Sequence, residues 1–172
     1  MKNITLTKRL CRAGIIAALY VALTYAFAPF AFGPLQIRPA EALCILPLFF
    51  PEAVPALYVG CMISNLPSGI YDVLLGSLAT LIAAFGTYMV GSFFKNNWTK
   101  LILGGIFPVL CNAIIIPLML VFLYGDVGGF SSAGIAYFTY MGSIAFTQLV
   151  WVYGLGTPLY FGLQKRLDKL RK

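Results

Sequence analysis

The sequence contains no histidine, and only five of its 172 residues are acidic. Histidine is the commonest general base near neutral pH and the commonest metal ligand, so its absence weakens most enzymatic interpretations. The four cysteines, Cys11, Cys44, Cys61 and Cys111, are widely separated and form no Cys-x-x-Cys pair. We interpret them as small apolar packing residues rather than as metal ligands. The sequence therefore predicts no metal, no cofactor and no enzymatic activity.

Charge of either sign is scarce: 10% of the residues are charged and 60% are hydrophobic, with a mean hydropathy of +0.90. An ordinary soluble domain carries about a quarter charged residues. We therefore predict an all-α integral membrane protein, with residues 1–172 forming a single transmembrane domain in the lipid bilayer. The net charge of +7 arises mainly at the two ends and in one short loop, a pattern that indicates membrane orientation rather than binding to nucleic acid.

Four stretches are long and apolar enough to cross a bilayer: residues 13–32, 72–94, 101–124 and 136–163. The region 39–66 either crosses once or forms two short helices broken at the Pro-Glu pair of FFPEAVP. Two short helices place eleven of the twelve Lys and Arg residues on one side, whereas a single crossing separates the four N-terminal ones from the other eight. The positive-inside rule favours the first arrangement. We predict a six-transmembrane-helix bundle in the bacterial plasma membrane, with cytoplasmic N- and C-termini and short broken helices at 39–66.

Polar residues of this bundle gather toward its outer side. Arg38 and Glu41 lie three residues apart at the start of the second helix, Asn65 ends the third, Asp72 begins the fourth, and Asp126 lies in the last outer loop. Ionisable residues in membrane segments are costly and are usually functional. Two plainer alternatives remain open: Arg38 and Glu41 neutralise each other at the helix start, and Asp72 is a helix N-cap.

Deeper polar residues follow on the last two helices: Asn112 on the fifth, and Tyr140, Gln148 and Trp151 on the sixth. Gln148 and Trp151 are three residues apart and are expected to share a helix face, with Tyr140 near the same stripe. Whether they contact a ligand or one another is open, and Tyr and Trp also serve as interface anchors. Together with the outer residues they predict a small pocket with aromatic walls for a planar polar heterocycle, in which the Glu41 carboxylate accepts from two adjacent N–H donors.

Two further features lie away from this pocket. Glu52, in the PEAVP turn, is expected on the cytoplasmic side, where it shapes the turn or meets a partner. Ala18, Ala22 and Ala26 follow one another at four-residue spacing in the first helix and form a small-residue ridge. This ridge either packs inside the bundle or docks on another protein.

Concentrative uptake of such a heterocycle would need an energy source, and the sequence shows no motif that supplies one. The sequence has no G-x-x-x-x-G-K-[ST] loop for ATP and no chain of mid-membrane carboxylates for proton coupling. A substrate-binding membrane subunit powered by partner proteins fits these absences, and a passive facilitator is the alternative.

The runs FGPLQIRPAEAL, PEAVPALYVGCMISNL and DVLLGSLATLIAAFGTY resemble the QueT family, the queuosine-precursor substrate-binding (S) subunits of energy-coupling factor (ECF) transporters. The resemblance covers nearly the whole chain, with Pro39 standing where a less rigid residue is expected. It implies a six-helix bundle that binds queuine or its aminomethyl-deazaguanine precursor near the outer surface. It also implies association with an ECF coupling membrane protein and two cytoplasmic ATPase subunits, with the ridge of the first helix docking on the coupling protein.

Three other functions are weighed against this one. The same architecture could bind another vitamin or nucleobase. A small intramembrane lipid-modifying enzyme would use Glu41 and Asp72 as acid and base, but the chain lacks histidine and an activated nucleophile. A structural subunit without a ligand is the third, and it is disfavoured because burying these polar groups would cost free energy without serving a binding function.

Overall fold

The structure is a computed structural model that describes residues 6–31 and 37–171, and the regular elements within these ranges are all helical. We label six of them: α1 (Leu6–Ala26), α2 (Pro39–Leu48), α3 (Ala53–Asn65), α4 (Asp72–Phe93), α5 (Asn97–Leu123) and α6 (Ala133–Lys169). A four-residue helical turn, Ala28–Ala31, follows α1.

The all-α membrane architecture predicted from composition is confirmed. Helices α1, α4, α5 and α6 are long and apolar enough to cross a membrane, while α2 and α3 are shorter apolar helices. Helix α1 begins and ends earlier than the predicted span of residues 13–32. The region 39–66 forms two helices separated by a turn at residues 49–52, which contains the Pro-Glu pair.

Contacts with α1 show that the chain reverses between α2 and α3. Tyr20 of α1 contacts Glu41 near the start of α2, whereas the Arg12 guanidinium lies over the ring of Phe50, just after α2 ends. Helix α2 is therefore antiparallel to α1. Arg12 pairs with Glu52 before α3 and Tyr25 contacts Ile63 near its end, so α3 runs parallel to α1.

Helix α2 is a ten-residue 3₁₀ helix in which every residue is buried. It lies at the centre of the bundle, in contact with α1, α3, α4, α5 and α6. At about 2.0 Å per residue it is roughly 20 Å long, less than the hydrocarbon core of about 30 Å. Pro39 and Pro47 lack backbone donors, and the surrounding helices shield this irregular backbone from lipid. The central position carries the polar residues at the start of α2 into the bundle interior.

Glycines of the neighbouring helices allow this close packing. A Cβ added at Gly91 of α4 would lie 3.0 Å from the Cα and carbonyl oxygen of Leu48, and one at Gly104 of α5 would lie 2.9 Å from Leu48 Cδ2. Helices α1 and α3 approach in the same way, because a Cβ at Gly60 would lie 3.0 Å from Tyr20 Cβ. Small residues at such crossings let helix backbones pack closely.

Contacts also show which helix ends are neighbours. At one end, Arg12 in the first third of α1 contacts Glu52. The Phe49 ring after α2 packs against Tyr160 near the end of α6, and Tyr160 donates to Asn97 at the start of α5. We call this the basic end, because the described Lys and Arg residues other than Arg38 belong to the segments that meet here: Lys8, Arg9, Arg12, Lys95, Lys100, Lys165, Arg166, Lys169 and Arg171. Lys2 and Lys172 lie outside the described residues. At the opposite end, Tyr124 after α5 donates to Asp72 of α4.

In the part of the chain that the structure describes, three helices contain a π-helical segment: Asp72–Gly76 in α4, Met119–Leu123 in α5 and Val150–Leu155 in α6. A π-helical turn accommodates one more residue than an α-helical turn, so it shifts the faces of the residues that follow. These segments therefore change which side chains point into the bundle.

Candidate functional site

Glu41 is a buried acidic side chain in the bundle interior, with 2% of its surface exposed. Its carboxylate accepts from the Tyr20 hydroxyl at 2.6 Å, from Asn112 Nδ2 at 3.2 Å and from Cys44 Sγ at 3.3 Å. The donors belong to α1, α5 and α2. Buried charged groups need such partners, and donors from three helices fix the orientation of this carboxylate.

Arg38 lies directly before α2 and is also buried, at 4% exposed. Its Nη1 donates to Asn65 Oδ1 at 3.1 Å. Asn65 Nδ2 in turn donates to the Asp72 carbonyl oxygen at 3.0 Å and to Cys61 Sγ at 3.3 Å. Asn65 therefore links the guanidinium to the start of α4, and the Asn65 amide is fully buried in doing so.

A cavity lies between these groups, and we call it the central cavity. Its lining residues come from the start of α2 and from α4, α5 and α6: Arg38, Glu41, Gly76, Thr80, Asn112, Ile116, Ile144 and Gln148. Its empty volume is about 250 Å³, but it is so narrow that it has room for about one water molecule. A molecule as large as a purine fits only when the walls separate.

The walls combine charged, amide and aliphatic surfaces. Arg38, Glu41 and Asn112 supply hydrogen-bonding groups, whereas Ile116 and Ile144 supply flat apolar contact. The predicted aromatic walls are therefore aliphatic. Gln148 is 3% exposed, and its Oε1 atom is buried with no hydrogen-bond partner in residues 6–31 and 37–171. Such a site can hold a planar heterocycle by its edges while its faces rest on apolar side chains.

The structure brings four of the eight predicted ligand-binding residues to the cavity: Arg38, Glu41, Asn112 and Gln148. Asn65 lies behind Arg38 and contacts it. The remaining three, Asp72, Tyr140 and Trp151, do not line the cavity.

The surroundings of these three residues explain why they lie outside the cavity. The Asp72 carboxylate accepts from Tyr124 at 3.0 Å. Tyr140 precedes Gln148 by eight residues, which is about 12 Å along a helix, and its hydroxyl donates to Asp126 at 3.3 Å. Trp151 falls in the π-helical segment of α6, where Val152 is the buried residue and Trp151 is half-buried.

Tyr124 connects two loops at the end of the bundle opposite the basic end. Its hydroxyl donates to Asp72 and, at 3.3 Å, to the carbonyl oxygen of Ser68. Burial and then the neighbouring Asp72 carboxylate raise the pKa of the Tyr124 phenol above its ordinary value, so the phenol keeps its proton and donates. Gly69 has a φ of 121°, and a Cβ there would lie 2.9 Å from the Tyr124 hydroxyl oxygen. The turn after α3 is therefore shaped to receive this tyrosine.

Sequence reasoning missed Tyr20, Cys44 and Thr80. Thr80 lines the cavity, and its hydroxyl donates to the Gly76 carbonyl oxygen at 3.2 Å. One signal was available for Tyr20: it lies between Ile16 and Thr24 on the buried stripe of α1, and a buried tyrosine hydroxyl needs an acceptor. Nothing in the sequence identified Glu41 as that acceptor.

The two features predicted away from the pocket also have defined positions. Ala18, Ala22 and Ala26 are exposed, whereas Ala13 and Ala17 pack against the core. The ridge is thus not covered by the described part of the bundle. Glu52 accepts from Arg12 at 2.7 Å, and the Arg12 guanidinium lies 4.2 Å from the centre of the Phe50 ring.

Comparison with known proteins identifies the family to which this chain belongs. A family model described as the QueT transporter matches residues 10–165. The queuosine precursor transporter QueT of Lactococcus lactis subsp. cremoris is 41% identical over 71 residues, which cover 40% of this chain and 42% of that relative. The chain thus matches less than half of the relative's length, and no solved structure gives a significant match. On the match to most of its length, the chain belongs to the QueT transporter family, whose members are multi-pass proteins of the bacterial plasma membrane and are not enzymes.

Proposed function

We propose that this protein is the substrate-specific subunit of a transporter that takes up a queuosine precursor. Its ligand is a deazaguanine base, either queuine or its aminomethyl precursor. Family membership and the name of the Lactococcus relative support this proposal. The observation that carries it is the buried Glu41 carboxylate, held by donors from three helices at the edge of the central cavity.

The proposed recognition uses the guanine-like edge of the base. That edge presents two adjacent N–H donors, and a carboxylate can accept both. A carboxylate has about four acceptor sites, and three protein donors already occupy Glu41. One of them must turn away when the base binds. Cys44, whose thiol is a weak donor, and Asn112, which lines the cavity, are the candidates.

Arg38 and Asn65 form the second half of the proposed site. Arg38 lines the cavity, and its guanidinium donates to Asn65. Because a guanidinium has five N–H donors, it can donate to the ring carbonyl of a deazaguanine as well. Tyr140, Trp151 and Asp72 have no direct role in this arrangement, because they lie outside the cavity.

The proposed transporter depends on partner proteins for energy. We propose an ECF coupling membrane protein and two cytoplasmic ATPase subunits, since the chain itself has no ATP-binding loop. The exposed Ala18, Ala22 and Ala26 of α1 are the proposed docking surface. In this arrangement the six helices cross the membrane and the basic end faces the cytoplasm, as the positive-inside rule favours.

Calorimetry on the purified protein tests the ligand and the site together. Queuine, its aminomethyl precursor, guanine and riboflavin are titrated into the wild type, Glu41→Gln and Glu52→Gln. Loss of a charged hydrogen-bond partner costs about 2 kcal/mol or more, roughly 30-fold in affinity. We expect that loss for a deazaguanine with Glu41→Gln, whereas Glu52→Gln at the basic end should bind like the wild type. Tight riboflavin binding, or no binding of any purine-like base by folded protein, would contradict the proposed substrate.

A further inference from the structure

Gln148 carries a polar atom that no described residue of the bundle satisfies. Its side chain is 3% exposed, and its Oε1 atom is buried with no hydrogen-bond partner among the described residues. Nearly all buried carbonyl oxygens in folded proteins have such a partner, because an unpaired one destabilises the fold. The feature therefore needs an explanation beyond the packing of α6.

The position does not require a polar residue for folding. Along α6 the buried positions around it are Ile144 and Val152, both apolar. In the central cavity, Ile116 and Ile144 form its aliphatic wall. An apolar side chain of the same length would fill this space without burying a lone carbonyl oxygen.

Gln148 nevertheless lines the central cavity, together with Glu41 and Arg38. We propose that Gln148 Oε1 is the acceptor for an N–H group of the bound ligand, and that Gln148 thereby selects the ligand. This inference rests on the proposed function, since it assumes that the central cavity is the ligand site. It adds a requirement: the ligand carries a further N–H donor besides the pair that Glu41 accepts.

A deazaguanine free base meets this requirement in two ways. After the ring N–H and the exocyclic amine at one edge have bound Glu41, the N–H of the five-membered ring remains. The amine of the 7-substituent also remains. A base that is methylated on the five-membered-ring nitrogen and lacks the 7-substituent amine offers neither donor, and should lose the contribution of Gln148.

The unsatisfied carbonyl also predicts opposite effects on stability and on binding. Gln148→Met keeps the length of the side chain and removes the carbonyl group. The melting temperature of the ligand-free variant should equal or exceed that of the wild type, because a destabilising group is gone. Its affinity for the aminomethyl-deazaguanine should fall at least 10-fold. If Gln148 instead stabilised the fold, the Gln148→Met variant would have a lower melting temperature than the wild type.

Ser77→Ala is the matched control. The Ser77 hydroxyl oxygen is also buried without a partner, but Ser77 does not line the cavity. Its removal should leave ligand affinity within about 2-fold of the wild type. If Ser77→Ala weakens binding as much as Gln148→Met, the effect is not specific to the cavity and the inference fails.

The test measures melting temperature without ligand and affinity for three bases: aminomethyl-deazaguanine, deazaguanine without the 7-substituent, and the same base methylated on the five-membered-ring nitrogen. The inference is supported if the 10-fold effect of Gln148→Met shrinks to less than 2-fold for both analogues, which identifies the amine of the 7-substituent as the donor. It is also supported if the effect shrinks for the methylated analogue alone, which identifies the N–H of the five-membered ring. It is overturned if the effect is equal for all three, or if the ligand-free Gln148→Met variant melts several degrees lower. Failure of the proposed function is distinguishable, because wild-type protein would then bind none of the three bases.

Discussion

At the scale of single residues, the hydrogen bond between Tyr20 and Glu41 connects α1 to the central 3₁₀ helix. Its two side chains are buried, and the distance from the hydroxyl oxygen to the carboxylate is 2.6 Å. Tyr20→Phe removes this donor with almost no change of shape. Hydrogen bonds to charged groups contribute about 1.5–3 kcal/mol, so we expect a melting temperature several degrees lower in detergent, measured by thermal unfolding.

Tyr25→Phe serves as the control for that experiment. The Tyr25 hydroxyl is exposed and makes only a 3.4 Å contact with the Ile63 carbonyl oxygen, so its loss should leave the melting temperature nearly unchanged. Equal effects of the two substitutions would mean that the Tyr20 bond adds nothing specific to the fold.

The sequence identified several of the residues at the cavity but not their depth in the bundle. Glu41, Asn112 and Gln148 were predictable because a polar side chain in an apolar helix has to point inward. Arg38 was predictable because an ionisable residue at the edge of a membrane segment is usually functional. Tyr140 was correctly predicted to share the buried face of α6 with Gln148. Helical spacing does not show how deep in the bundle the ligand site lies, so it could not exclude Tyr140 from the site. Whether any of these residues contacts a ligand stays a prediction until binding is measured.

At the scale of elements, the packing of α2 against glycine decides where the site lies. Gly91→Ala would place a Cβ 3.0 Å from the backbone of Leu48, and the backbone of a buried helix cannot turn aside as a flexible side chain can. Overpacking of this kind costs about 1–3 kcal/mol. Because α2 also carries Glu41, we expect a lower melting temperature together with weaker ligand binding.

Gly142→Ala is the comparison for the same measurements. A Cβ at Gly142 of α6 would have no other atom within 4 Å, and alanine favours a helix over glycine by about 1 kcal/mol. This variant should melt at the same temperature as the wild type or higher. A Gly91→Ala variant with wild-type stability and affinity would show that α2 shifts freely between its neighbours.

The sequence predicted a short helix here, but not its 3₁₀ geometry. All ten residues of α2 are buried, so its hydrophobic pattern has no period that would separate a 3₁₀ helix from an α-helix. The reversal between α2 and α3 was predictable, because the distribution of Lys and Arg depends on the whole chain rather than on local pattern.

At the scale of the whole molecule, the exposed alanines of α1 give the bundle a smooth outer face. If this face docks on a coupling protein, Ala18→Trp should abolish co-purification with the coupling protein and its ATPases. Ligand binding by the isolated subunit should stay within about 2-fold of the wild type, because Ala18 is exposed and α1 contributes no described residue to the lining of the central cavity. Affinity purification of the co-expressed complex measures the first effect, and calorimetry the second.

Leu78→Trp provides the control for bulk on a different face. Leu78 of α4 is 45% exposed, and a tryptophan there should leave complex formation intact. Loss of the complex with Leu78→Trp but not with Ala18→Trp would assign docking to α4 instead of α1.

At each of the three π-helical segments, the chain can lose one residue while the side chains before and after the segment keep their orientation toward the bundle interior. Deleting a residue within Val150–Leu155 turns a wide turn into an ordinary α-helical one, so Gln148 before it and Tyr160 after it keep facing inward. The same deletion within residues 136–144 would rotate Gln148 by about 100° relative to the preceding part of α6. Single-residue insertions and deletions among relatives should therefore concentrate in these wide turns, where evolution can alter the count of residues without dismantling the cavity.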